Sequence, residues 1–285
     1  MIKRPCLLIF GHGYTANAFV DYIRNEDWEI FGTTRNPQTS DLLIKKGVKP
    51  LMWSDGSRIK SVINRSDYIL HSIPPTEIGD PVYKRFSKAI ISRSKNLSWF
   101  GYLSTTSVYG NHDGKWVDEN IPVNPSSNRG LLRVKAENNW SCIKNLPLHI
   151  FRLAGIYGPN RSPLDKIRSG KAQLISKPGQ FFSRIHVEDI ARVLKASIEM
   201  PNHGSVYNVC DDMPAAPDEV LDYAAKLINY TDLTKVAFEE ADLSPMAKSF
   251  YSENKRVKND RIKNELKITL KYPNFETGLN ALAGK

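Results

Sequence analysis

The sequence has 285 residues, of which 41% are hydrophobic and 25% are charged, a composition typical of a globular protein and not of a long disordered chain. Lysine and arginine outnumber aspartate and glutamate by 40 to 30, so the net charge of +10 favours anionic partners. The apolar runs are far shorter than the ~20 residues of a membrane-spanning helix, the first run does not resemble a signal peptide, and three widely spaced cysteines predict neither a disulfide framework nor a metal site. We therefore expect a cytoplasmic protein with no membrane partner.

Strands and helices alternate regularly over the first 155 residues. Short apolar runs predict strands at 5–10, 29–34, 48–53, 67–72 and 99–104, with helical patterns at 18–23, 41–46 and 82–93 between them. Asp80 is expected to cap the last of these helices, with Pro81 at its first position. Such alternation builds parallel sheets with right-handed crossovers. The fold class predicted is therefore α/β, with a Rossmann-type doubly wound parallel sheet.

The alternation loosens after Arg152. Strands are predicted at 183–187 and 206–209, and helices at 190–199, 217–229 and 253–266. We predict a first domain at 1–155, with its sheet completed by 183–210, and a smaller interleaved α/β substrate domain at 156–182 and 211–285. The positive charge is concentrated at 160–184, a candidate phosphate-facing loop, and at 248–271, where alternating signs are typical of a solvated helix face.

A glycine-rich turn follows the first strand. Gly11-His12-Gly13-Tyr14-Thr15-Ala16 has the form GxGxxA and opens a helix. The first glycine permits a tight turn, the second lets the backbone approach a pyrophosphate, and the small Ala16 allows close packing of the helix. We predict a dinucleotide site that includes Gly11 to Thr15, so the first domain is expected to bind NAD(P). The alternative is a glycine-rich turn without a ligand.

The residues after the second strand predict which dinucleotide binds. NAD sites carry an acidic residue about twenty positions after the glycines, whereas this sequence has Thr33-Thr34-Arg35 there. No carboxylate repels a 2′-phosphate, and a guanidinium can hold one with two hydrogen bonds. Thr34 and Arg35 therefore favour NADP(H) over NAD(H).

These motifs, with others in the same order, resemble the extended short-chain dehydrogenase/reductase family of NAD-dependent epimerases and dehydratases, in an atypical form. The resemblance runs nearly end to end, through His71-Ser72, the segment Leu103 to Gly110 that contains Val-Tyr-Gly, the segment Arg152 to Pro159, Ile185-His186-Val187-Glu188-Asp189 and Tyr207-Asn208-Val209. It implies cofactor contacts at His71 and Ser72. It also implies that Thr105, four residues before Tyr109, orients a substrate hydroxyl; a hydroxyl merely bonded at a strand end is the alternative.

The proton-transfer pair of that family is missing. Its chemistry depends on Tyr-x-x-x-Lys about 25 residues after the serine or threonine, and aligning Ala136-Glu137 places Arg129 and Arg133 at those positions. No tyrosine occurs between Gly110 and Ile156, and a guanidinium stays protonated, so it can bind anions but cannot act as a base. The single Tyr251-x-x-x-Lys255 is expected to be a chance match.

Three other residues are candidates for proton transfer. Asp80 lies where atypical members carry an aspartate, although it also fits a helix cap. The resemblance implies that Tyr109 packs beneath the nicotinamide loop and that His186 bonds backbone groups beside a turn, which are the alternatives to a role in proton transfer. The catalytic set predicted is Thr105, Asp80 and Tyr109.

Basic residues predict an anionic substrate, and the family resemblance implies a nucleotide sugar as the candidate. The candidates for substrate binding are Arg129, Arg133, Arg152 and Arg184; the family's usual arginine lies two positions before Arg184, where this chain has Phe182. We predict either an NADP-dependent oxidoreductase or epimerase/dehydratase-like enzyme, or a non-catalytic NADP(H)-binding sensor or scaffold.

A homodimer through 82–93 and 131–145 is implied by resemblance only. Nucleic acid is not expected to bind, because the sequence has no groove-reading motif and no basic segment interleaved with aromatic residues.

Overall fold

The computed structural model describes residues 4–285, and the chain divides into two compact units. The first unit comprises Met1–Thr105, Leu131–Arg152 and Ile190–Tyr207, and the second comprises Thr106–Gly130, Leu153–Asp189 and Asn208–Lys285. Residues 1–3 of the predicted first domain lie outside the described part. The division differs from the predicted boundaries: 106–130 belong to the second unit, and 190–207 to the first.

The strands, in chain order, are β1 (Cys6–Phe10), β2 (Glu29–Thr34), β3 (Val48–Met52), β4 (Tyr68–His71), β5 (Trp99–Thr105), β6 (Trp116–Val117), β7 (Leu148–Leu153), β8 (Gly155–Tyr157), β9 (Leu174–Ser176), β10 (Arg184–His186), β11 (Val206–Val209), β12 (Lys235–Ala237) and β13 (Arg256–Val257). The helices are α1 (Tyr14–Ile23), α2 (Pro37–Lys45), α3 (Gly56–Ile63), α4 (Pro81–Arg93), α5 (Asn128–Ser141), α6 (Pro163–Arg168), α7 (Val187–Glu199), α8 (Pro217–Leu227), α9 (Pro245–Tyr251), α10 (Asp260–Glu265) and α11 (Phe275–Ala283).

A seven-stranded sheet forms the centre of the first unit. Its strand order is β11-β7-β5-β4-β1-β2-β3. Leu8 of β1 pairs in parallel with Phe31 on one side and Ile69 on the other. The order reverses at β1, as in doubly wound sheets, whose ligands bind outside the carboxyl ends of the strands at such a point. The predicted fold class is confirmed.

The core of the first unit fills one face of this sheet with aromatic and aliphatic side chains. Leu8, Phe10 and Phe100 are buried with Phe86 of α4 and Trp140 of α5. Burying large apolar side chains of this kind contributes roughly 1.5–3 kcal/mol each. Helices α4 and α5 are therefore held against the sheet by this core.

The second unit is built from short strand pairs and its own helical core. Strand β8 pairs in parallel with β10, β9 with β12, and β6 with β13. The core comprises side chains of α6, α8 and α11, among them Leu164, Ala224 and Phe275. The strand predicted at 183–187 therefore exists as β10 but belongs to a two-stranded sheet, whereas 206–209 joins the large sheet as expected.

The predicted start of α4 is confirmed, whereas one predicted helix of the second unit is partly wrong. Helix α4 begins at Pro81, and the Asp80 carboxylate accepts the N–H groups of Val82 and Tyr83, as predicted. The helix predicted at 253–266 is wrong in its first half, because Arg256 and Val257 pair with β6 and only Asp260–Glu265 is helical. Within residues 4–285, no helix is both long and apolar enough to cross a membrane.

Candidate functional site

The glycine turn joins β1 to α1 in the first unit. Gly11 has φ +83°, and a Cβ there would lie 2.6 Å from Cγ1 of Ile73, so both the conformation and the space require glycine. Its N–H donates to Oγ1 of Thr33 at 2.9 Å. At Gly13 no side chain caps α1, and a Cβ would meet nothing within 4 Å. An uncapped helix start beside open space fits the pyrophosphate of a dinucleotide.

The other residues of the turn are held by the same unit. The His12 backbone N–H donates to O of Thr33 at 3.3 Å. Its ring lies 3.2 Å from Oδ1 of Asn17, and burial lowers the pKa of His12 to about 4, so the ring is neutral at pH 7. Tyr14 is half-buried and Thr15 is buried. The turn therefore offers its backbone, rather than a charged side chain, to a ligand.

The end of β2 carries a positive charge. Arg35 follows Thr34 directly, is exposed, and makes no hydrogen bond or ion pair with any other described residue. Oγ1 of Thr34 accepts the N–H of Asn36 at 3.1 Å, and Oδ1 of Asn36 accepts the N–H of Gln38 at 3.0 Å. The segment is thus ordered by short-range bonds while the guanidinium is left accessible.

His71 and Asp80 lie together in the interior of the first unit. Nε2 of His71 lies 2.8 Å from Oδ2 of Asp80, both side chains are fully buried, and Nε1 of Trp140 donates to the same oxygen at 2.8 Å. Ser72, next to His71, is half-buried, and its N–H donates to O of Phe10 at 2.8 Å. The predicted cofactor contact of His71 and the predicted base Asp80 therefore have protein partners in the core.

The end of β5 is joined to α5 by buried polar contacts. Thr105, the last residue of β5, is half-buried. Arg133 donates to O of Leu103, and to the Tyr102 hydroxyl at 3.3 Å. The Arg152 guanidinium donates to Glu137 at 2.8 Å, and both are buried. The Arg152 guanidinium is thus bound to a carboxylate of the protein and not to a substrate anion. A buried carboxylate requires such a counter-charge.

The second unit holds the other predicted residues. The Tyr109 hydroxyl is buried and donates to Oδ1 of Asn208 at 2.8 Å. Arg129 is exposed, and its Nη2 donates to Oγ of Ser107 at 3.0 Å. Arg184 is half-buried and donates to the carbonyl oxygens of Phe182 and Ala215. His186 is buried, and burial lowers its pKa to about 4.

Two residues that contact residues named in the sequence analysis, Trp140 and Glu253, were not anticipated. Trp140 completes the donors around Asp80, and Glu253 and Lys255 form a buried ion pair with Nζ to Oε2 at 2.7 Å. The Tyr-x-x-x-Lys match marked Lys255 in the sequence, but its spacing gave no indication of this partner. Among residues 4–285, no cluster of three or more His, Cys, Asp or Glu side chains is arranged to hold a metal ion.

Comparisons with known proteins agree with this architecture. The model of the NAD dependent epimerase/dehydratase family matches residues 7–210. Protein YeeZ of Escherichia coli (strain K12) is 30% identical over 280 residues, which cover 93% of this chain and 95% of YeeZ.

Solved structures extend the similarity over the whole fold. A functionally unknown conserved protein from Silicibacter pomeroyi DSS is 50% identical, with a TM-score of 0.91 and 98% of both chains covered. The dTDP-glucose 4,6-dehydratase of Bacillus anthracis str. Ames, in complex with NAD, is 19% identical, with a TM-score of 0.79 and coverage of 98% of this chain and 96% of that one. At 19% identity, the similarity to the dehydratase shows a shared fold and nothing more.

Proposed function

The chain belongs to the NAD dependent epimerase/dehydratase family, and from this premise we propose that it binds NADP(H) in preference to NAD(H). The observation that carries the proposal is the exposed Arg35 directly after β2, in a segment, 33–38, without a carboxylate. An NAD site needs an acidic acceptor there for the ribose hydroxyls. A guanidinium instead forms paired, charge-assisted hydrogen bonds with a phosphate.

The substitution Arg35→Glu tests this proposal. Losing a charge-assisted hydrogen bond costs about 1.5–3 kcal/mol, so NADPH affinity should fall roughly 10- to 100-fold while NADH affinity changes little. The measurement is cofactor fluorescence on titration of the full chain with each dinucleotide. Lys60→Glu is the matched control, because Lys60 is also exposed in the first unit but lies on α3. Equal losses of NADPH and NADH affinity in Arg35→Glu would refute the 2′-phosphate argument.

We propose further that the bound dinucleotide serves an oxidoreductase or epimerase-like reaction on an anionic substrate, such as a nucleotide sugar. The nicotinamide, when bound, supplies or accepts the hydride. In the first unit, Thr105 at the end of β5 would orient a substrate hydroxyl, and Arg133 would stabilise negative charge on oxygen. In the second unit, Arg129 and Arg184 are the candidate anion contacts. Asp80, Tyr109, His71 and Arg152 are not part of this proposal, because their side chains are buried and bonded to protein groups.

Burial of Asp80 and Tyr109 favours a second candidate function, a non-catalytic NADP(H) sensor. Two of the three residues predicted to be catalytic are inaccessible and already bonded. The two functions are separated by following NADPH oxidation across keto and nucleotide sugars. Turnover that falls in Thr105→Ala without loss of cofactor affinity supports the enzyme. Tight NADPH binding with no turnover on any sugar supports the sensor.

A further inference from the structure

A cavity lies in the first unit, at the edge of the large sheet where the strands begin. Its volume is about 420 Å³, within the range of small-molecule pockets. Three loops of the first unit enclose it: 94–98 precedes β5, 142–147 precedes β7, and 200–205 precedes β11. The glycine turn follows β1, so it lies at the opposite edge of the sheet, beyond a strand of five residues or about 15 Å.

The floor of the cavity is apolar. Leu97, Leu146 and Pro147 line it, and all three are buried. The two leucines belong to the same core as Phe100 and Trp140. An apolar part of a ligand therefore gains burial against a surface that is already packed.

The rim of the cavity carries three polar groups, one from each loop. They are the ammonium group of Lys95, the amide of Asn145 and the imidazole of His203, and all three residues are exposed. Within residues 4–285, none of these side-chain groups forms a hydrogen bond or an ion pair. The three loops contain Lys95 and Lys144 but no aspartate or glutamate. The rim therefore favours a negatively charged group.

Two of the loops are joined by a buried histidine. Nδ1 of His149, on β7, donates to O of Pro147 at 3.0 Å, and Nε2 accepts the N–H of Asn202 at 3.0 Å. Burial lowers the pKa of His149 to about 4, so the ring is neutral at pH 7 and keeps both bonds. The His203 ring packs edge-on against it, with centroids 5.8 Å apart. A ligand therefore meets loops that are already ordered, which lowers the cost of binding.

We propose that this cavity binds an amphipathic organic anion: a small apolar group that bears a carboxylate or a phosphate. Lys95 supplies the charge, Asn145 and His203 supply hydrogen bonds, and the buried floor contacts the apolar part. The cavity lies at the strand edge opposite the glycine turn, so this ligand is distinct from the dinucleotide and the inference goes beyond the proposed function.

Titration of the full chain with four probes, followed by ligand-observed NMR, tests the site. Hexanoate and hexyl phosphate carry both parts of the proposed ligand, acetate carries the charge alone, and hexan-1-ol carries the chain alone. We expect at least one of the two six-carbon anions to bind roughly tenfold or more tightly than acetate and hexan-1-ol, and the tighter of the two identifies the preferred head group. No binding of either six-carbon anion, or equal binding of the anions and hexan-1-ol, would overturn the proposal.

Two variants locate the bound anion. Lys95→Met removes the ammonium group and should weaken the tighter anion roughly tenfold or more, since a charge-assisted hydrogen bond is lost. Asn145 has φ +61°, so Asn145→Gly removes the amide without straining the backbone and should weaken the anion severalfold.

Lys88→Met is the matched control. Lys88 is an exposed lysine of α4, seven residues before Lys95, and it does not line the cavity. Its loss should leave the affinity for the anion nearly unchanged. Equal losses in Lys95→Met and Lys88→Met would show that net charge attracts the anion and would overturn the proposal.

The outcome is separable from that of the cofactor proposal. Saturating NADPH should leave the anion bound, and displacement of the anion would place it in the dinucleotide site and overturn the inference. Arg35 follows β2 at the carboxyl end of the sheet, so Arg35→Glu should leave the affinity for the anion nearly unchanged. If Arg35→Glu selectively loses NADPH while no anion binds, only the inference about the cavity is refuted. If the anion binds while NADPH and NADH are affected equally, only the proposed function is refuted.

Discussion

Asp80 has one of the most densely bonded carboxylates in the first unit. It accepts hydrogen bonds from the N–H groups of Val82 and Tyr83, lies 2.8 Å from Nε2 of His71, and accepts from the indole of Trp140 at 2.8 Å. Burial alone would raise the pKa of Asp80, but the hydrogen bond and charge of His71, with Trp140 and the Tyr83 N–H, hold it below its ordinary value. The ionised form of Asp80 therefore stabilises the folded state.

Asp80→Asn should destabilise the protein in a pH-dependent way. A depressed pKa contributes stability that is present above the unfolded value, about 4, and is lost as pH falls through the lower folded value. We expect the free energy of unfolding in urea to fall by about 1–3 kcal/mol at pH 7. As pH falls below about 4 and through the lower folded pKa, the variant and the parent should converge, because the parent loses the same interaction on protonation.

The control for Asp80→Asn is Asp55→Asn, which alters the exposed cap of α3. Its effect at pH 7 should be the smaller of the two. A loss in Asp80→Asn that is identical at pH 7 and in acid would contradict the role assigned to the ionised carboxylate.

Helix α5 presents a polar stripe to the large sheet. Arg133, Glu137 and Trp140 are spaced by four and three residues, so they share one face. Glu137 contacts Arg152 of β7 and the hydroxyl of Ser104 of β5. Two strands are thereby tied to one helix through a single buried carboxylate.

A double-mutant cycle on Glu137 and Arg152 tests this link. Arg152→Met leaves the Glu137 carboxylate buried without its counter-charge, so the free energy of unfolding should fall by about 3–5 kcal/mol. Adding Glu137→Gln removes that charge while keeping an acceptor for Ser104, so the double variant should be more stable than Arg152→Met. Chemical denaturation of the four proteins measures the coupling. Strictly additive losses would show that the two charges do not stabilise each other.

The elements differ in how far the sequence could predict them. Strand β2 has the bounds predicted for it, 29–34, and α4 begins where Asp80 and Pro81 place it, because these signals are local. Residues 253–257 have the alternating charges of a surface helix, yet Val257 pairs with Val117 and Lys255 reaches Gly110. Those partners lie about 140 residues away, so no local pattern could reveal them.

The same distinction applies to the candidate site. The glycine turn and Arg35 could be proposed from the sequence because a dinucleotide motif spans only some twenty-five residues. The bonds of Asp80 to Trp140, and of Arg152 to Glu137, join different elements. A lone arginine or aspartate in a sequence does not show whether its partner is a ligand or a buried side chain.

The net charge of the whole molecule resides in one of its two units. The first unit contains 21 lysine and arginine residues against 11 acidic ones, while the second contains 19 of each. Both segments in which the sequence analysis located the positive charge lie in the second unit, where acidic residues elsewhere cancel them. The unit that carries the glycine turn and Arg35 therefore has a net charge of +10.

This distribution predicts a difference between the two dinucleotides in their response to salt. NADPH carries an additional phosphate, so its attraction to the first unit should be screened more strongly than that of NADH. Raising NaCl from about 50 to 500 mM, where the Debye length shrinks from over 10 to about 4 Å, should weaken NADPH more than NADH. Titrations at both concentrations check this, and Arg35→Glu should reduce the difference. Parallel salt dependence would contradict it.

The strand order of the large sheet has a consequence for the chain while it is being synthesised. Strands β1 to β3 are synthesised first and extend the sheet from β1 to one edge. Strands β4 and β5 then extend it on the other side of β1. The outer neighbour of β5 is β7, which begins at Leu148, whereas β5 ends at Thr105. Until then β5, which contains Trp99, Phe100, Tyr102 and Leu103, is an open edge with unpaired backbone groups. A nascent chain that pauses between residues 105 and 148 would be the form most prone to pair with another chain, and binding of a chaperone to that edge would protect it.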